Sequence, residues 1–60
     1  MYFELLKNVT NGQYWFVIRS EGNHQALATS EMYHRKENAL HAIQIIDGGR
    51  NSPYRDRTGE

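Results

Sequence analysis

"ATSEMYHRKENALHAI", residues 28–43, decides the architecture of this chain. In its second half Ala39, Leu40, Ala42 and Ile43 fall at the three-and-four spacing of a helix with one apolar stripe, and Ile46 extends that stripe. Its first half belongs to "ALATS", residues 26–30, a short strand-forming run. Between the two lie Tyr33, His34, Arg35 and Lys36, a polar and basic hinge. The helix is expected over Arg35–Asp47, with Glu37, Asn38, His41 and Gln44 on its wet side. Gly48-Gly49 should stop it, since glycine tolerates the left-handed conformation that a helix C-cap needs.

Upstream, "YFELLK" (residues 2–7) and "YWFVIRS" (residues 14–20) are rich in aromatic and β-branched residues. In the first run Phe3 and Leu5 share one face, and Tyr2, Glu4 and Leu6 share the other. In the second, Tyr14, Phe16 and Ile18 oppose Trp15, Val17 and Arg19. Asn11-Gly12 is a strong hairpin signal, because both residues tolerate positive φ. "EGNHQ", residues 21–25, gives a second turn around Gly22 and Asn23. The reading so far is a three-stranded antiparallel meander followed by one helix. In "NSPYRDRTGE", residues 51–60, either Pro53 opens a short edge strand, with Tyr54 and Asp56 alternating with Arg55 and Arg57, or the segment is a tail. The fold class is α+β, a β-β-β-α-β unit without an internal repeat. Residues 1–60 form one domain, with a core over 2–47 and a C-terminal arm over 48–60.

A chain of 60 residues with 38% hydrophobic content has a marginal core. Domains of this size usually need a disulfide, a metal or a partner subunit, and there is no cysteine, so a homodimer is expected. The formal net charge is zero and the pI about 6.8, which argues against a protein that coats DNA. The charge is uneven, however. From His34 to Arg57 the cations Arg35, Lys36, Arg50, Arg55 and Arg57 face only Glu37, Asp47 and Asp56. No apolar run approaches a membrane span or a signal-peptide core, so a soluble cytoplasmic protein with no membrane partner is the expectation.

The ordered run "YFELLK", "NGQYWFVIRS", "GNHQALATSEMY", "ALHAI" resembles the YegP-like family of small uncharacterised domains. The matching residues are Phe3, Glu4, Lys7, Gly12, Tyr14, Phe16, Ile18, Asn23, Ala28, Ser30, Tyr33, Ala39 and Ile43, and the resemblance covers residues 2 to about 46. The resemblance implies that two β-β-β-α-β units join into one continuous sheet, exchange their C-terminal strands and carry helices on one face. For a single-unit chain it implies a homodimer, with Pro53, Tyr54 and Asp56 at the exchanged interface. Two departures from the family pattern are Arg35, where a capping Ser or Thr is usual, and the early helix stop at Gly48-Gly49. The family has no established catalytic activity to carry over, so the resemblance speaks to fold more than to function.

Each candidate site has a structural counterpart. Ser30 and Tyr33 could clamp a ligand hydroxyl; the preferred reading is that Ser30 closes the strand and Tyr33 packs beneath the helix. Arg35 and Lys36 stand where free N–H groups favour anions and where cations oppose the helix dipole. An anionic ligand would reconcile that arrangement; solvent screening with help from Glu37 is the simpler account. Trp15, Val17 and Arg19 lie on the sheet face away from the helix, with Tyr2 and Glu4 nearby, either open for stacking or covered in a dimer. His24, His34 and His41 have no metal-ligand spacing, and Glu37 with His41 is an ordinary helix pair. No nucleophile elbow, phosphate loop or paired-carboxylate signal is present.

The function expected is therefore a non-enzymatic homodimeric binding module without cofactor or metal, taking or sequestering a small anionic, nucleotide-type ligand or single-stranded nucleic acid. Trp15, with Tyr14 or Tyr2, would stack, and Arg19, Arg35, Lys36, Arg55 and Arg57 would meet phosphate, with Tyr33 at the hinge. The alternative is a protein-interaction module, a small inhibitor or adaptor using the Trp15 face. A purely structural role is the third possibility.

Overall fold

The computed structural model describes residues 1–60. Its elements are β1 (Tyr2–Lys7), β2 (Tyr14–Arg19), β3 (Ala26–Thr29), α1 (Lys36–Asp47) and β4 (Tyr54–Asp56). They form an α+β fold with one four-stranded sheet in the order β3-β2-β1-β4. β1 and β2 pair antiparallel from Tyr2↔Arg19 to Lys7↔Tyr14, and β3 adds to β2 antiparallel through Val17↔Thr29 and Ile18↔Ala28. β4 lies parallel to β1 of the same chain, through Phe3↔Tyr54, Glu4↔Arg55 and Leu5↔Asp56.

Alternation along the strands decides which side is dry. Phe3, Leu5 and Phe16 point to the helix side and are sealed there with Ala39 and Ile43. The Phe3 and Phe16 rings meet edge to face at 5.9 Å, and Tyr33 stacks on Phe16 at 6.2 Å. The buried line of α1 runs Ala39, Ile43, Asp47, in steps of four. The last inward position therefore falls on Asp47, and Ile46, expected on the stripe, is 49% exposed. Asp47 accepts the Ser52 N–H at 3.1 Å, and hydrogen bonding from Ser52 holds its carboxyl below the ordinary range although burial pushes it up. That bond fixes the turn that carries the chain from the Gly48 C-cap, at φ 62°, to β4.

The two hairpin loops share one plan. In the first, Asn8 N–H donates to the Gln13 carbonyl at 2.8 Å and Gly12 N–H to the Asn8 carbonyl at 2.7 Å. In the second, Ser20 N–H donates to Gln25 and His24 N–H to Ser20, both at 2.9 Å. The Asn11 side chain accepts the Gln13 N–H, and the Asn23 side chain accepts the Gln25 N–H. Each loop needs one left-handed residue: Gly12 at φ 73° in the first, His24 at φ 60° in the second. The two-residue Asn11-Gly12 turn is thus replaced by a longer loop in which only Gly12 is left-handed, and in the second loop that place falls to His24, not to Gly22 or Asn23.

Candidate binding face of the sheet

The side of the sheet away from α1 carries Tyr2, Glu4 and Leu6 from β1 and Trp15, Val17 and Arg19 from β2, because each alternates along its strand against a residue of the dry side and pairs across with another of the six; Tyr2 and Val17 are buried there by their neighbours. β4 adds Arg55, in register with Glu4, and Arg57 follows one step further along. Charge pairing organises this face. Glu4 accepts from Arg19 Nε at 3.0 Å with one oxygen and from Arg57 Nε at 2.8 Å with the other. The carboxylate is the recessed member: its side chain is 13% exposed, against 30% for Arg19 and 54% for Arg57. Arg19 also donates to the His24 carbonyl at 3.0 Å.

At the upper end of the face the Arg55 guanidinium lies 4.9 Å over the Tyr2 ring, a cation–π pair. The Tyr2 hydroxyl is 2.9 Å from His24 Nδ1, and the two rings meet edge to face. Tyr2, Glu21, His24, Pro53 and Arg55 line a depression of about 280 Å³ beside this stack. At the lower end, Trp15 is half-buried and sits across from Leu6.

The sequence-predicted residues divide between the two sides of the sheet. Trp15, Arg19, Arg55 and Arg57 come together on the open face. Tyr33, Arg35 and Lys36 lie at the hinge on the helix side, so one small ligand does not reach both groups. Tyr14 also belongs there and cannot share a ligand with Trp15: it alternates against Trp15, and its hydroxyl donates to Glu60 at 2.6 Å. At the hinge Ser30 Oγ accepts the Phe16 N–H, and Tyr33 exchanges two backbone hydrogen bonds of 2.7 Å with Tyr14, so both serve the sheet. Arg35 is the helix N-cap, with no side-chain cap bond, and pairs with Glu37 at 3.3 Å. Lys36 meets Asp56 at 2.5 Å; the lysine pKa is raised by that bond, and the Asp56 carboxyl is held down at about 2. Lys7 Nζ meets Glu60 at 2.7 Å, which raises the lysine and lowers the carboxyl. The hinge basin lined by Tyr14, His34, Arg35, Lys36 and Glu37 thus has its lysine already neutralised by its own chain. Pro53, Tyr54 and Asp56 all attach β4 to its own chain: Phe3 N–H donates to the Pro53 carbonyl at 3.1 Å, and Tyr54 and Asp56 sit beside Phe3 and Leu5. No three metal-ligating side chains converge, and no helix is long and apolar enough to cross a membrane.

Alternation already places Tyr2 and Glu4 on this face, and the residue that escapes a simple motif reading is His24. The signal for His24 is the spelling Asn11-Gly12-Gln13 against Asn23-His24-Gln25, which places histidine where its counterpart has glycine.

The arrangement defines a small α+β domain: a mixed four-stranded sheet with one helix-covered face and one cationic, aromatic face. Residues 10–48, about two-thirds of the chain, match the family described as "Domain of unknown function (DUF1508)", and the chain belongs to that family. The match takes in Trp15, Arg19 and His24, while Tyr2, Glu4, Arg55 and Arg57 lie outside it. No curated protein and no solved structure gives a significant match.

Proposed function

We propose that this protein is a non-enzymatic binding module whose open sheet face takes an anionic, nucleotide-type ligand. The observation that carries the reading is that one sheet face holds Arg19 and Arg57 on the recessed Glu4 carboxylate, Arg55 over the Tyr2 ring and Trp15 across from Leu6. Guanidinium groups recognise phosphate through charge-assisted, directional hydrogen bonds, and an indole offers a base a π-face. The hinge is the weaker site, because Asp56 and Glu37 already pair with its cations.

The module works as a homodimer. Only seven apolar residues are buried in the single chain, a small core for an independent fold. Both edge strands, β3 and β4, are exposed throughout. The YegP-like resemblance supports edge-to-edge joining with exchange of β4 through Pro53, Tyr54 and Asp56, which leaves the arginine face open. A cytoplasmic setting suits such a ligand.

Trp15 is the sole tryptophan, so its fluorescence reports on this face directly. Titration with a nucleoside monophosphate at low salt should quench it saturably, and the quenching should fade steeply as salt rises. A Trp15 signal unmoved by any nucleotide contradicts the reading. A protein partner held by the same face, the second reading, would bind with little salt dependence.

A further inference from the structure

The open face carries two stacking platforms. One is the Trp15 indole, half-buried at the lower end. The other is the Arg55 guanidinium, seated 4.9 Å over the Tyr2 ring. Tyr2 itself is only 6% exposed, so a ligand meets the exposed guanidinium plane and not the phenol beneath it. A guanidinium plane backed by an aromatic ring is a surface on which a base stacks. His24 holds that ring, through its 2.9 Å contact with the Tyr2 hydroxyl. To do so it occupies a left-handed position that costs nothing only for glycine, and its counterpart in the first loop is Gly12. Strain retained in one of two otherwise matched loops marks a residue kept for what its side chain does.

The separation of the platforms sets the ligand's length. Tyr2 and Leu6, the β1 residues that mark the two ends, are four residues apart, about 13 Å along the strand. One base covers one platform. Between the platforms run Arg19 and Arg57, held apart by Glu4, whose two oxygens each take one guanidinium. That is a cationic track between two flat surfaces, with the more exposed groups cationic.

Building on the reading above, we infer that the ligand is single-stranded nucleic acid of at least two nucleotides, with one base on Trp15, another on Arg55–Tyr2, and the backbone crossing Arg19 and Arg57. The test is a length series on the full chain: UMP, then oligouridylates of two, three and five nucleotides, with oligothymidylates alongside, followed by Trp15 fluorescence and calorimetry. Affinity should rise about tenfold or more from one nucleotide to three and then level off, as two stacked bases replace one. Arg55→Ala should flatten the rise, so that the trimer binds no more than about twofold tighter than UMP does to the same variant. A mononucleotide that binds as tightly as the trimer overturns this inference and leaves the nucleotide reading intact. Failure of every member to bind overturns both. Uridylates and thymidylates binding alike would place recognition in bases and phosphates; a preference for RNA would add the 2′-hydroxyl.

Discussion

The two hairpin loops are built to one hydrogen-bond pattern, yet one places glycine and the other histidine at the left-handed position. Loop 8–13 is the neutral version: Gly12 satisfies the turn, nothing packs on it, and no side chain in the loop ionises. Loop 20–25 accepts a less favourable residue and gains a ring that fixes Tyr2, while its backbone carbonyl at the same position, which any residue would supply, accepts from Arg19. Backbone geometry is therefore a shared requirement, and the departure from the cheapest residue falls on the loop that borders the cationic face.

The largest effect should come from the strand that both loops share. Phe16 is 1% exposed at the centre of the core, and Phe16→Ala should cost about 3–5 kcal/mol, enough to unfold so small a domain. Loss of cooperative thermal unfolding by circular dichroism checks it. Next, Gly12→Val and His24→Val should each destabilise by about 1–2 kcal/mol, since a β-branched residue fits the left-handed region badly. Equal shifts in urea midpoint would show that both loops need that conformation; a silent valine at either site would break the comparison. His24→Gly should leave stability nearly unchanged. Relief of strain offsets loss of the hydrogen bond to Tyr2, each on the order of 1 kcal/mol. The same variant should weaken oligonucleotide binding, because the Tyr2–Arg55 platform loses its support.

The smallest effect is set by pH. Asp56 titrates at about 2 in the folded chain against an ordinary 3.8, because the Lys36 ammonium and Thr58 hydrogen-bond its carboxylate. A carboxyl depressed in this way contributes stability above about 3.8 and loses it as pH falls toward about 2. Glu60, also depressed by its bonds to Lys7 and Tyr14, shifts in the same direction. Amide resonances of residues 56–60 should broaden through that acid window while those of loop 8–13 stay fixed.

Much of the fold was legible because it rests on periodicity. Alternation put Phe3, Leu5 and Phe16 on one side and Trp15 and Arg19 on the other, and the three-and-four spacing of Ala39 and Ile43 located the helix. What was not legible depends on where the chain returns. The inward side chain of the last helical turn is Asp47 and not Ile46, because the line of contact advances by fours. Arg55 and Arg57 join the open face only because β4 docks in parallel with Glu4 opposite Arg55, a register that no local pattern records. The pairing of Lys36 with Asp56 follows from the same docking, and it turns a candidate anion site into an internal ion pair.

The most direct measurement is an NMR titration with a uridylate trimer, following the arginine Nε–H and Trp15 indole N–H resonances together. The account predicts that Arg19, Arg55, Arg57 and Trp15 move in concert while Arg35 stays still. Movement of Arg35 and the first amides of α1, with the Trp15 indole unchanged, would contradict it.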